Sequence, residues 1–154
     1  MVKLQKDVDA IRINTRTEEL AACSSTSVGV TRLPFTVESL KAESLVEEWM
    51  KAAGMTVRKD ALNNIIGRYE GKDPTAPVLM IGSHLDSVIE AGKYDGILGV
   101  ITGIEVVQTL KDNGIILYNP IEVVGFCDEE GVRFHSTFLG SKAIAGTFTA
   151  EDLE

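Results

Sequence analysis

Imidazole is scarce in this chain. Only His84 and His135 carry it among 154 residues, so a site made mainly of histidines is excluded and any metal chemistry must lean on carboxylates. Cysteine is equally sparse. Cys23 and Cys127 stand far apart with no Cys-x-x-Cys spacing, which excludes a disulfide framework and a thiolate zinc site and fits a reducing compartment. Basic residues are also short, 15 Lys and Arg against 23 Asp and Glu for a formal charge of -8. That balance lacks the Lys/Arg clusters needed by nucleic acid or an anionic membrane. Long apolar runs are missing too: the longest, near Ile97–Val107, is cut by Glu105 and is too short to span a bilayer. The stretch from Met1 to Ile11 alternates charges with single apolar residues and has no apolar signal core. The expectation is a cytoplasmic protein.

What the chain does contain is enough apolar residue, 44%, for the core of one ordinary domain. Leu4, Val8, Ile11 and Leu20 among charges predict an interrupted N-terminal helix over 2–22. Residues 23–31, rich in Ser, Thr and Gly, read as a loop. A second helix runs over 37–53, its buried stripe made of Leu45, Val46, Trp49, Met50 and Ala53, with Gly54 as its stop. The period then changes to two short strands, 55–59 and 64–69. Residues 77–82 are apolar at every position before Gly82, as in a strand buried on both faces. A helix over 96–113, smoothed by Gly96, Gly99 and Gly103, a second buried strand over 121–127 and a helix over 139–146 complete the order. This alternation predicts an α/β domain with a central, at least partly parallel sheet flanked by helices. The polar segments then fall after the C-terminal ends of strands, where such sheets place ligands.

Those segments are Gly82-Ser83-His84-Leu85-Asp86-Ser87, Tyr94-Asp95-Gly96 and Asp128-Glu129-Glu130-Gly131. His84 and Asp86 are two apart in an extended segment and share a side, so the Asp86 carboxylate is expected to accept the second ring N–H and fix the tautomer. Asp95 sits at a helix entrance, where a carboxylate can bridge two cations. Adjacent Glu129 and Glu130 can diverge, one toward a metal and one toward its water. Taken singly, a histidine in a core or a Glu-Glu pair is more often structural than functional. Jointly, acids placed at buried strand ends beside a histidine favour a site. His135 reads as solvent-facing or structural, and Arg133 either as scaffold or as a wall of the site. Ser83 and His84, neighbours on a strand, point to opposite faces and make a poor serine-hydrolase pair. No Gly-rich turn supports a nucleotide site.

The three segments, extended to Val88 and to Gly92–Val100, resemble the dinuclear-metal aminoacylase and carboxypeptidase family. Gly29-Val30-Thr31-Arg32-Leu33, Glu130-Gly131-Val132-Arg133-Phe134 and Phe138-Leu139-Gly140-Ser141 look like its branch of N-carbamoyl-amino-acid hydrolases, β-ureidopropionases and allantoate amidohydrolases. The resemblance covers nearly the whole chain. It implies two divalent metal ions (Zn, Mn, Co or Ni), with His84 on one, Glu130 on the other and Asp95 bridging them. It further implies Glu129 as general base, Asp86 orienting His84, and a cis peptide after Asp95 eased by Gly96. The implied reaction is hydrolysis of a linear ureido or amide C–N bond in a small molecule.

Complete family members continue beyond the matching region, supplying further histidines, substrate-binding residues and a lid and dimerisation domain. The resemblance therefore makes residues 1–154 a partial catalytic domain, the N-terminal part, expected to bind metal weakly or be inactive alone and to belong to a homodimer when full length. Two other readings stay open: an aminoacylase or dipeptidase of the same superfamily, and a non-catalytic fragment serving as an interaction module.

Overall fold

The structure, a computed structural model, describes residues 4–153. Helix α1 (Ala10–Ala21) begins where Asp9 accepts the N–H groups of Ile11 and Arg12 as N-cap. The expected helix over 2–22 is corrected by this. Residues 2 and 3 lie outside the described ones, residues 4–9 are not helical, and α1 itself is uninterrupted. The preceding segment is tied instead to the Asn113 side chain, which accepts from the amides of Gln5 and Lys6. Helix α2 (Val37–Ala52) has a reciprocal cap between Thr36 and Ser39. It buries Ala42, Val46 and Met50, with Leu45 and Trp49 half-buried beside them.

Strands β1 (Thr56–Lys59) and β2 (Ile65–Tyr69) form an antiparallel hairpin. Strand β3 (Leu79–His84), helix α3 (Ile97–Asp112) and strand β4 (Ile121–Phe126) make a crossover unit whose strands pair in parallel. Helix α4 (Leu139–Ala145) and a 3-10 turn over Ala150–Leu153 follow. The sheet order is β1-β2-β4-β3, with β2 antiparallel to β4, so the expected mixed α/β sheet is found.

Helices α2 and α3 cover the sheet face that carries Val57, Ile65, Ile81, Ile121 and Val123, and α1 lies against α3. Of the three glycines foreseen as a smooth helix face, Gly99 and Gly103 do that work, while Gly96 lies just outside the helix as its N-cap. A Cβ at Gly103 would stand 3.0 Å from Val123 and 3.1 Å from Ile81, and one at Gly99 would stand 2.6 Å from Ser83. Helix α3 also buries Glu105 completely. Its carboxylate takes the Nε and NH2 groups of Arg12 at 2.7 and 2.6 Å and the Asp9 amide at 2.9 Å. A buried charge with paired donors on each oxygen locks α1 to α3.

The strand over 77–82 departs from expectation. It begins two residues later, and it is not buried on both faces, since Leu79 is 53% and Met80 44% exposed. The reason is position: β3 is an edge strand with one neighbour, and the doubly buried strand is β4. The described residues also contain no cis peptide bond, so the link between Asp95 and Gly96 is trans. The turn is made by Gly96 in the left-handed region, at φ +69°.

Candidate metal centre

Three of the five residues singled out from the sequence converge. His84 closes β3, Asp95 precedes α3 and Glu130 follows β4, so the parallel β3–α3–β4 unit delivers all three to one end of the sheet. One ligand atom from each lies within 4.8 Å of the others. The imidazole Nε2 is 3.5 Å from Glu130 Oε1 and 3.9 Å from Asp95 Oδ1. The ring sits directly on Gly96, where a Cβ would come within 2.5 Å of it, so glycine is required for the close approach.

Asp86 does a different job from the one expected. His84 Nδ1 is 2.9 Å from the backbone carbonyl of Asp86, whereas the Asp86 carboxylate is 3.9 Å away. The backbone carbonyl therefore sets the tautomer, with Nδ1–H donating and Nε2 free as a ligand. The carboxylate instead accepts the Glu129 amide on Oδ1 at 3.1 Å and the Glu130 amide on Oδ2 at 3.0 Å. Only 4% exposed, it fastens the loop after β4 to the loop after β3. An extended segment offered the side chain a place beside the ring, but two unpartnered amides across the gap are stronger claimants for a buried carboxylate.

Glu129 lies outside the three-residue cluster. Its carboxylate accepts the Ser141 amide at 2.7 Å and the Ser141 hydroxyl at 2.8 Å, so helix α4 holds it. That helix is fixed in turn by the amides of Leu139 and Gly140, which donate to the carbonyls of Asp128 and Cys127. Asn64 completes the support, bonding the Gly140 carbonyl and the Cys127 amide at 2.9 Å each.

Sequence reasoning missed two residues that shape this end of the sheet. Asp128 is 2% exposed, its backbone is left-handed at φ +56°, and neither carboxylate oxygen has a hydrogen-bond partner. Burial, then the charges of Asp86 and Glu129, push its carboxyl up to about 6. A type-by-type reading gave no sign of this, because a DEE run is indistinguishable from a solvated surface. Arg32 is the second. It is 1% exposed, with Nε 2.6 Å from the Leu85 carbonyl and NH1 2.7 Å from that of Leu20 and 3.1 Å from that of Cys23. Ser87 and Arg32 exchange further bonds through Ser87 Oγ and both backbones. The Gly29–Arg32 segment, noticed only as a motif, is thus the cradle of the loop that carries Asp86.

Of the doubtful residues, His135 is exposed, as expected. Arg133 is scaffold: it donates to the Pro34 carbonyl and lies over the Phe134 ring, which meets Phe35 edge-on. No hydrogen bond joins Ser83 to His84 among the described residues. Burial raises both thiols, that of Cys127 to about 12, which disfavours the thiolate form.

Residues 64–152 match the model of peptidase family M28, a span that includes every member of the cluster. The chain belongs to that family. Within family M28, it is 53% identical over 128 residues to an N-carbamoyl-L-amino acid amidohydrolase of Geobacillus stearothermophilus, covering 83% of this chain and 31% of that one. It is 44% identical over 141 residues to an allantoate deiminase of Arabidopsis thaliana, covering 90% of this chain and 27% of the relative. The structure superposes on a hydantoinase/carbamoylase family amidase from Burkholderia ambifaria with a TM-score of 0.90 at 39% identity, over 95% of this chain and 36% of the other. The family M28 chain described here thus spans about a third of the length of the curated relatives it matches. The resemblance to carbamoyl-amino-acid and allantoate hydrolases holds.

Proposed function

We propose that the chain is the N-terminal part of the catalytic domain of a metal-dependent hydrolase that cleaves linear ureido or amide C–N bonds, in the N-carbamoyl amino acid, β-ureidopropionate or allantoate class. The observation that carries this is the convergence of His84 Nε2, Asp95 and Glu130. One neutral nitrogen and two carboxylates suit Zn²⁺, Mn²⁺, Co²⁺ or Ni²⁺, and the missing side chain at Gly96 makes room for the His84 ring. His84 would hold one ion, Glu130 a second, and Asp95 both.

When bound, the ions supply Lewis acidity to the substrate carbonyl and lower the pKa of the attacking water. The chain's own residues do the rest. Glu129, anchored through Ser141, accepts the proton of the attacking water on a carboxylate oxygen and returns it to the leaving nitrogen. Asp86 keeps the Glu129 and Glu130 amides in register, and its carbonyl keeps His84 in the ligand tautomer. The cluster offers three ligands among the described residues, and the chain spans about a third of the length of its relatives.

The test measures metal content and ammonia release together. The chain is loaded with Mn²⁺ or Zn²⁺, alone and joined to the remaining two thirds of the Geobacillus stearothermophilus relative. Each form is assayed with allantoate, N-carbamoyl-β-alanine and N-carbamoyl amino acids. Turnover by the joined form that vanishes in Glu129→Gln supports the reading; a joined form that holds metal yet releases no ammonia from any of them overturns it.

A further inference from the structure

Glu129 and Glu130 are chemically identical neighbours on one loop, and Asp86 fastens the backbone amide of each. The backbone therefore does nothing to tell them apart. What differs is the partner of each side chain. Glu130 Oε1 lies 3.5 Å from His84 Nε2, inside the cluster. Both oxygens of Glu129 are taken instead by a single residue, Ser141, which donates its amide to Oε1 at 2.7 Å and its hydroxyl to Oε2 at 2.8 Å. One donor on each oxygen fixes the plane of the carboxylate as well as its place, through a torsion that is otherwise broad in glutamate.

Ser141 can exert that hold because it does not move with Glu129. The amides of Leu139 and Gly140, just before it in α4, donate to the carbonyls of Asp128 and Cys127, and Asn64 donates to the Gly140 carbonyl. The other acceptor within reach of the hydroxyl, the Phe138 carbonyl, is farther away at 3.3 Å.

The restraint matters beside a metal centre. A carboxylate is a good ligand for the same ions that suit the cluster, and a base that reaches the attacking water stands only a water's width from the ions that activate it. Left free, a third carboxylate there closes on an ion, becomes a ligand and ceases to be a base. We infer that Ser141 is a positioning residue that withholds Glu129 from the ions, so that two adjacent glutamates take different roles. The inference rests on the metal-dependent hydrolysis proposed for the chain.

Ser141→Ala tests it, since alanine removes the hydroxyl, keeps the amide and suits a helix. The variant is made in the form joined to the remaining two thirds of the Geobacillus stearothermophilus relative, and its Zn²⁺ affinity is read by competition with a chelator. Kd is expected to fall roughly tenfold, the scale on which groups just outside the ligands set a metal's affinity, while kcat drops with KM little changed. A simple packing defect would weaken the metal instead. The Co²⁺-loaded variant should also absorb less visible light than the parent, as an added ligand raises the coordination number. Ser141→Thr, which keeps a hydroxyl, should restore the parent Kd and spectrum, and Ser141→Ala combined with Glu129→Gln should lose the tighter binding. If the parent releases ammonia but Ser141→Ala binds Zn²⁺ no more tightly, the inference is overturned and the proposed activity stands. Tighter binding that persists without the Glu129 carboxylate overturns it equally. A parent that holds metal and releases no ammonia overturns the proposed activity, and Kd and the Co²⁺ spectrum then still decide whether Ser141 restrains Glu129.

Discussion

Asp86 shows how one buried side chain can organise a site without touching its reacting centre. Two amides donate to its two oxygens, and an asparagine keeps one acceptor while turning an NH₂ group toward the other amide. Asp86→Asn is therefore expected to cost about 1.5–3 kcal/mol of stability and to weaken Zn²⁺ binding roughly 10- to 100-fold, measured by urea melts and calorimetric titration. Unchanged metal affinity would mean that the β4 loop is held by α4 alone. Asp128 makes the opposite case, a carboxyl harmed by its surroundings. Its unfolded value is 3.8 and its folded one about 6, so between these pH values the folded chain holds the extra proton and stability falls as pH rises. The loss amounts to about 2–3 kcal/mol by pH 7. Asp128→Asn should flatten that slope in chelator-treated protein, and a slope left as steep as before would show that the carboxyl does not titrate there.

At the scale of elements, the site depends on loops being fitted closely against strand ends. Helix α4 approaches so near that a Cβ on Gly140 would stand 2.3 Å from Asn64 Oδ1 and 2.5 Å from the Cys127 carbonyl. Gly140→Ala should then lower the urea midpoint by the equivalent of about 1–3 kcal/mol, and it should free the Glu129 carboxylate from Ser141. A midpoint equal to that of the parent would show that α4 can shift without cost. Two of the helices were readable from the sequence because capping and periodicity are local: Val37–Ala52 and Ile97–Asp112 lie within a residue or so of expectation. The strand at Leu79–His84 was not, since an uncharged, largely apolar run looks alike whether a sheet covers it on both sides or leaves an edge open. The same limit applies at the site. Spacing put His84 and Asp86 on one side of an extended segment, but which group meets the imidazole was decided by the Glu129 and Glu130 amides, more than forty residues further along.

For the molecule as a whole, the cluster of His84, Asp95 and Glu130 draws one group from each part of the β3–α3–β4 unit. An ion held there must stabilise that unit against unfolding, because the unfolded chain cannot keep the three groups together. The increment should follow the ligand concentration, about 2.7 kcal/mol at one hundred times Kd. The competing explanation is the acidic surface: with a net charge of -8, any divalent cation relieves some self-repulsion and raises stability without a site. The two differ in their dependence on salt and on a single residue. Surface relief is screened by sodium chloride, is shared by Mg²⁺ and is indifferent to His84. Site binding persists in salt, prefers Zn²⁺ or Mn²⁺ and disappears in His84→Ala, whose parent side chain supplies the only nitrogen of the cluster. Thermal melts of both chains in moderate salt should accordingly show a Zn²⁺-dependent rise in the parent and none in the variant, whereas equal rises in the two would assign the effect to surface charge and remove the metal centre from the argument.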